Sequence, residues 1–73
     1  MGIHHSDVVT IRFFRDARGR RIINRVTIIG SARPCRSLLV IGFLLLPAVR
    51  CLIRHRFRIV LRTPGLWVLR RIH

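Results

Sequence analysis

Few residues in this chain could do chemistry, and their spacing limits what that chemistry is. Cys51 and His55 stand four apart, which puts a thiol and an imidazole on one face of a helix. Two ligands fall short of a zinc site, and the pair His4-His5 is too short a tract to complete one. Cys35 precedes Cys51 by 16 residues, and a continuous helix between them would hold the sulfurs about 24 Å apart. A disulfide cannot reach that far. The two thiols read instead as buried cysteines or as palmitoylation candidates beside an apolar segment. The opening residues Met1 to Ser6 match the pattern for N-myristoylation at Gly2, with Asp7 as an unhelpful acidic neighbour. Catalysis has no foothold. The two carboxylates, Asp7 and Asp16, fall in or near turns with no reason to converge, and the five glycines are scattered rather than gathered in a phosphate loop. The sequence reads as a non-enzyme without a cofactor or a metal.

The remaining chemistry is charge. All 15 basic side chains are arginine, against two aspartates, for a formal net charge of +13. Such a chain of 73 residues repels itself and seeks anions. Arginine's planar fork matches phosphate, so anionic membrane lipids are the expected partners and non-specific nucleic acid binding the alternative. No zinc finger, aromatic RNA-binding strand pattern or basic heptad helix supplies base readout. Lysine, glutamate, glutamine and tyrosine are all absent. Lysine, glutamate and glutamine codons share the adenine-purine ending of two stop codons, and tyrosine codons lie one base from them. An unselected, overlapping or antisense open reading frame, kept open by scarcity of such codons, has the same composition.

These residues must be positioned by elements, and four segments suggest themselves. Residues 1–30 are a basic segment with a candidate β-hairpin at 8–29. In it Val9, Ile11 and Phe13 share one strand face, and Ile22, Asn24, Val26 and Ile28 alternate with Ile23, Arg25, Thr27 and Ile29. Asp16-Ala17-Arg18-Gly19 predicts the turn, with glycine free to take positive φ at its exit. Both faces carry apolar residues, so something else must cover the hairpin. Residues 31–34 read as a linker ending in Arg33-Pro34.

Residues 35–53 predict a hydrophobic helix without a polar stripe, built around Leu38, Leu39, Val40, Ile41, Phe43, Leu44, Leu45 and Leu46. Its uncharged run, Ser37 to Val49, has 13 residues, shorter than a full membrane span of about 20. Reaching Ile53 adds Arg50, which can snorkel, and Pro47 predicts a kink that frees the Phe43 carbonyl. A spanning or re-entrant membrane helix is the first expectation, ahead of an interfacial one, with localisation at the membrane; a buried core helix in a complex is the alternative. Eight arginines precede the run and seven follow it, so topology has no charge bias.

Residues 54–73 form an arginine-rich amphipathic segment. Arg54, Arg56, Arg58 and Arg62 alternate with His55, Phe57, Ile59 and Leu61, predicting one cationic strand face for lipid or other phosphates. Thr63-Pro64-Gly65-Leu66 fits a type II turn into a second strand, where Trp67 either anchors at headgroups or packs against Phe57. The expected fold class is a small α+β or membrane-associated protein: hairpin, one hydrophobic helix with transmembrane inclination, second hairpin, partly disordered in isolation. The layout is similar to that of many small viral, phage and bacterial membrane proteins, with no motif carried over.

Overall fold

The computed structural model describes residues 6–72, so the acylation candidate Gly2 and the His4-His5 pair lie outside the described residues. Two hairpins form, the first over the predicted segment and the second beginning at Arg58 rather than at Arg54 where the alternation starts. Strand β1 (Ser6–Arg15) pairs antiparallel with β2 (Arg21–Ile29), and β3 (Arg58–Arg62) with β4 (Leu66–Ile72). In the first turn the Asp16 carboxylate accepts from the backbone N–H of Arg18 at 2.9 Å and of Arg20 at 2.8 Å, and Gly19 takes φ +79°. This is the aspartate-opened, glycine-closed turn that the residue types dictate.

The second turn departs from expectation. Gly65 is not at positive φ, so it is not a type II turn. The Thr63 hydroxyl organises it, accepting from Leu66 N at 2.9 Å and donating to Leu66 O at 2.9 Å.

The hairpins do not stand apart on either side of a helix. β1 and β4 pair antiparallel from Ser6↔Ile72 to Arg12↔Leu66, giving one four-stranded sheet of order β2-β1-β4-β3. The strands nearest the two chain ends therefore lie side by side at its centre. One face is buried: Val9, Ile11 and Phe13 of β1, Ile23 of β2, and Trp67 and Leu69 of β4.

What covers that face corrects the helix expectation. Residues 35–53 do not form one continuous helix. A short 3-10 helix, Cys35–Leu38, is followed by an irregular loop, and α1 runs only from Leu45 to Arg54. The break is at Gly42, with φ +94°. The loop makes its backbone bonds to the sheet instead. Gly42 N donates to Ile23 O and Ile23 N donates to Phe43 O, both at 2.8 Å. The Phe43 carbonyl expected to be orphaned by Pro47 is thus satisfied by β2. Pro47 is the third residue of α1, in the first turn, where its missing N–H costs no helical bond.

α1 is also amphipathic rather than apolar all round. Leu45, Ala48, Val49 and Leu52 are buried on the sheet, at the i, i+3, i+4, i+7 positions of one stripe. Each large apolar side chain so buried contributes about 1.5–3 kcal/mol. The sheet's bare face and the helix stripe thereby answer each other's need for cover. Among the described residues, no helix is long and apolar enough to cross a membrane.

Folding back of the segment overturns the cysteine separation too. Cys35 and Cys51 form a disulfide, their Cα atoms 5.7 Å apart. The 24 Å expectation assumed a straight helix that Gly42 interrupts.

Candidate functional site

Four groupings of polar side chains are built by this fold. The most buried joins the chain's two ends. Asp7, expected near a turn, lies in β1 opposite Arg71 of β4. Its carboxylate accepts from Arg71 Nε at 3.0 Å and from Ser31 N at 2.9 Å. The same guanidinium donates to the carbonyls of Ser31, His55 and Arg33 at 3.2, 3.2 and 3.3 Å, and stacks 4.5 Å from the Phe57 ring centroid. Arg71 thus ties the linker, the end of α1 and the central strands together. Gly30 makes room for this clasp: it sits at φ +82°, and a Cβ there would collide with the Asp7 carboxylate. Arginine here is structural. Sequence pattern offered no signal for it, because the pairing is between residues 64 positions apart.

The second grouping lies at the tip of the first hairpin. The apolar side chains of Val40, Ile41, Phe43, Leu44 and Leu46 are between 40% and 68% exposed. Leu44 and Leu46 line a shallow cleft with Arg15, Arg20 and Arg21. The bridge Ile22↔Leu44 fixes the loop against β2. Within the turn, Arg20 pairs with Asp16 at 2.9 Å. The Arg20 backbone N–H is the largest cause holding the Asp16 carboxyl below its ordinary value of 3.8; slight desolvation opposes it. Of the apolar residues assigned to a membrane helix, only Leu45 and Leu46 are in α1. Leu38 ends the 3-10 helix, and Leu39 is buried in the core.

The third grouping is the open face of the sheet. Arg12↔Arg25 and Arg58↔Arg70 are directly opposed cross-strand pairs, and all four side chains are exposed. Like charges in this position repel. Thr10↔Thr27 is the next pair along from Arg12↔Arg25 on that face, and the four side chains line one shallow depression. Two guanidiniums and two hydroxyls converge there, a donor set suited to phosphate.

The single cationic face expected from Arg54, Arg56, Arg58 and Arg62 is not assembled. Arg54 ends α1, Arg56 turns the chain at φ +73°, and Arg58 points to the open face. A register shift between Ile59 and Leu61 then puts Arg62 on the opposite face, 4.7 Å over the Trp67 ring. One extra residue in a strand reverses the faces of everything after it. Trp67 itself is buried, edge-on to Phe13 at 5.7 Å rather than packed on Phe57 as one reading had it, with its Nε1 donating to Thr63 O.

The fourth grouping completes the cysteine–histidine pair that the sequence left two-membered. Cys35, Cys51 and His55 place one ligand atom each within 4.8 Å of one another. Cys35 is buried, Cys51 partly so, and His55 exposed. His55 Nδ1 lies 3.7 Å from Cys35 Sγ, 3.9 Å from Cys51 Sγ and 2.8 Å from the Cys51 carbonyl oxygen. A carbonyl only accepts, so Nδ1 carries the proton. Against known proteins, no family model, curated protein or solved structure matches the chain.

Proposed function

We propose that the protein binds the surface of anionic membranes peripherally, inserting the exposed apolar side chains of the loop at 40–44 and Leu46 at the start of α1 while arginines beside Leu44 and Leu46 engage lipid phosphates. The observation that carries this reading is the cleft at the hairpin tip, where exposed Leu44 and Leu46 lie beside Arg15, Arg20 and Arg21, with the exposed Val40, Ile41 and Phe43 just before them in the chain. Interfacial binding strength grows with buried apolar area and with attraction to anionic headgroups, and this tip offers both. The mode differs from the helix insertion expected from sequence, since the helix spends its apolar stripe on the sheet.

Vesicle co-sedimentation tests it. The protein should partition onto vesicles of mixed phosphatidylglycerol and phosphatidylcholine, and little onto phosphatidylcholine alone. Replacing Ile41 and Phe43 together by Asp should lower partitioning about ten-fold or more, given about 1.5–3 kcal/mol per large apolar side chain fully withdrawn from water. Arg15→Ser should lower it about five-fold, on the scale of about 1 kcal/mol per arginine at an anionic surface. Equal retention of the double variant and the wild type would sink the reading.

A second reading rests on a separate observation, the opposed arginine pairs of the open face with Thr10 and Thr27. A single-stranded nucleic acid laid across this face would neutralise both pairs. Binding of a homopolymer should then weaken linearly with log salt concentration, and Arg12→Ala should reduce that slope by about 0.7. An unchanged slope would remove this reading.

A further inference from the structure

We infer that reduction of the Cys35–Cys51 disulfide opens a binding site for a soft divalent cation of the zinc class, with Cys35 Sγ, Cys51 Sγ and His55 Nδ1 as its protein ligands. Tetrahedral zinc bonds of about 2.3 Å to sulfur and 2.0 Å to nitrogen put neighbouring sulfur and nitrogen ligands roughly 3.6 Å apart. The two sulfur–nitrogen separations here are 3.7 and 3.9 Å. The sulfurs must part to roughly 3.8 Å once their bond is broken, a shift that side-chain rotation supplies.

The backbone already holds the ligands in place. Cys51 belongs to α1 and His55 caps its C-terminal end, four residues on. Cys35 opens the 3-10 helix, its N–H bonded to Ala32 O at 2.8 Å. His55 O is gripped by Arg71, so the end of α1 is fixed independently of the disulfide. A buried sulfur on one side and an exposed imidazole on the other leave the cluster open to solvent, where water can take a fourth position.

The chemistry balances. A dithiol reductant gives two electrons and two protons: the S–S bond breaks, two S–H bonds form, and the reductant closes its own disulfide. The cation then displaces both thiol protons. The His55 proton leaves Nδ1, breaking its bond to Cys51 O, while Nε2 takes one from solvent, so the imidazole binds as a neutral ligand. Two thiolates cancel the charge of a divalent cation. The metal therefore adds no net charge to a chain already at +13. The arginines around the cluster, Arg54, Arg56 and Arg71, would repel a bare cation but not this neutral unit.

Cobalt(II) titration of the full chain tests the inference, with a water-soluble phosphine as reductant because dithiols themselves chelate metals. The reduced protein should bind one cobalt ion, with a thiolate-to-metal charge-transfer absorbance that the oxidised protein lacks. His55→Ala should weaken binding about ten-fold or more while keeping that absorbance, since even outer partners of a metal ligand are worth that much. Nitrogen-15 shifts should show the His55 proton moving from Nδ1 to Nε2. The Cys35→Ser/Cys51→Ser variant keeps His4 and His5 and sets the background. Uptake by reduced wild type no greater than that background would overturn the site, as would His55→Ala binding as tightly as wild type. Loss of the far-ultraviolet circular dichroism on reduction, not restored by cobalt, would overturn it too.

Discussion

Arg70 and Arg71 are neighbours in sequence and opposites in environment. Arg71 points to the covered face of the sheet, its side chain 12% exposed, and reaches Asp7, three backbone carbonyls and the Phe57 ring. Arg70 points to the open face, exposed and opposite Arg58, with one hydrogen bond from its Nη2 to Ser6 Oγ at 3.4 Å. The same division holds across the sheet. On the covered side Arg62 and Arg21 stack on Trp67, while on the open side Arg12 and Arg25 face each other. The covered face uses the guanidinium as a planar, multiply donating strut. The open face accumulates charge that no acidic side chain is seen to pair among the described residues. For the arginines in strands, the sheet register with its bulges decides which role each takes.

That contrast breaks first at Arg71. Arg71→Ala leaves the Asp7 carboxylate buried without its guanidinium and should cost about 3–5 kcal/mol, enough to unfold much of so small a domain. Arg70→Ala should stay within about 0.5 kcal/mol. Paired urea or thermal melts read both, and similar losses for the two would mean that the faces are not distinct. A smaller effect sharpens the open side. Arg12→Thr removes one member of an opposed like-charge pair and should stabilise the fold by about 0.2–1 kcal/mol at low salt, the gain fading as ionic strength rises. Destabilisation at low salt would show that Arg12 has a partner in the folded chain.

The smallest effect is at the hairpin tip, where a charge pair sits in water. The Asp16 carboxyl is depressed in the folded protein, so its contribution is full above the ordinary value of 3.8 and fades as pH falls through the lower folded value. Asp16→Asn should remove a small contribution near neutral pH, leave stability unchanged once the pH is below the folded value, and so flatten the acid limb of the stability–pH curve slightly. A large change near pH 7 would assign Asp16 more than a turn.

Both hairpins were legible because local rules govern them. β-branched alternation placed the first pair of strands, and Asp16 with Gly19 placed their turn. The second hairpin was read through the same alternation, but one bulge at Val60 separated Arg58 from Arg62 and dissolved the expected cationic strip. The apolar run departs from the expected continuous helix for a related reason. An uninterrupted apolar run looks the same whether it spans lipid or folds over a sheet, and only Gly42 hinted at the break. Sequence spacing therefore put Cys35 and Cys51 far apart, and the third member of the cysteine–histidine cluster stayed hidden.

By itself, the sequence determined the charge, the paired strands and their first turn, since these follow from residue type and near neighbours. The tertiary structure alone decided which arginines are struts and which are exposed. It also decided that the apolar run splits into a covering helix and an exposed loop, and that two distant thiols meet beside an imidazole. Those outcomes depend on β1 pairing with β4 and on loop residues bonding to β2. Such contacts join residues far apart in the chain, and no local pattern specifies which will form.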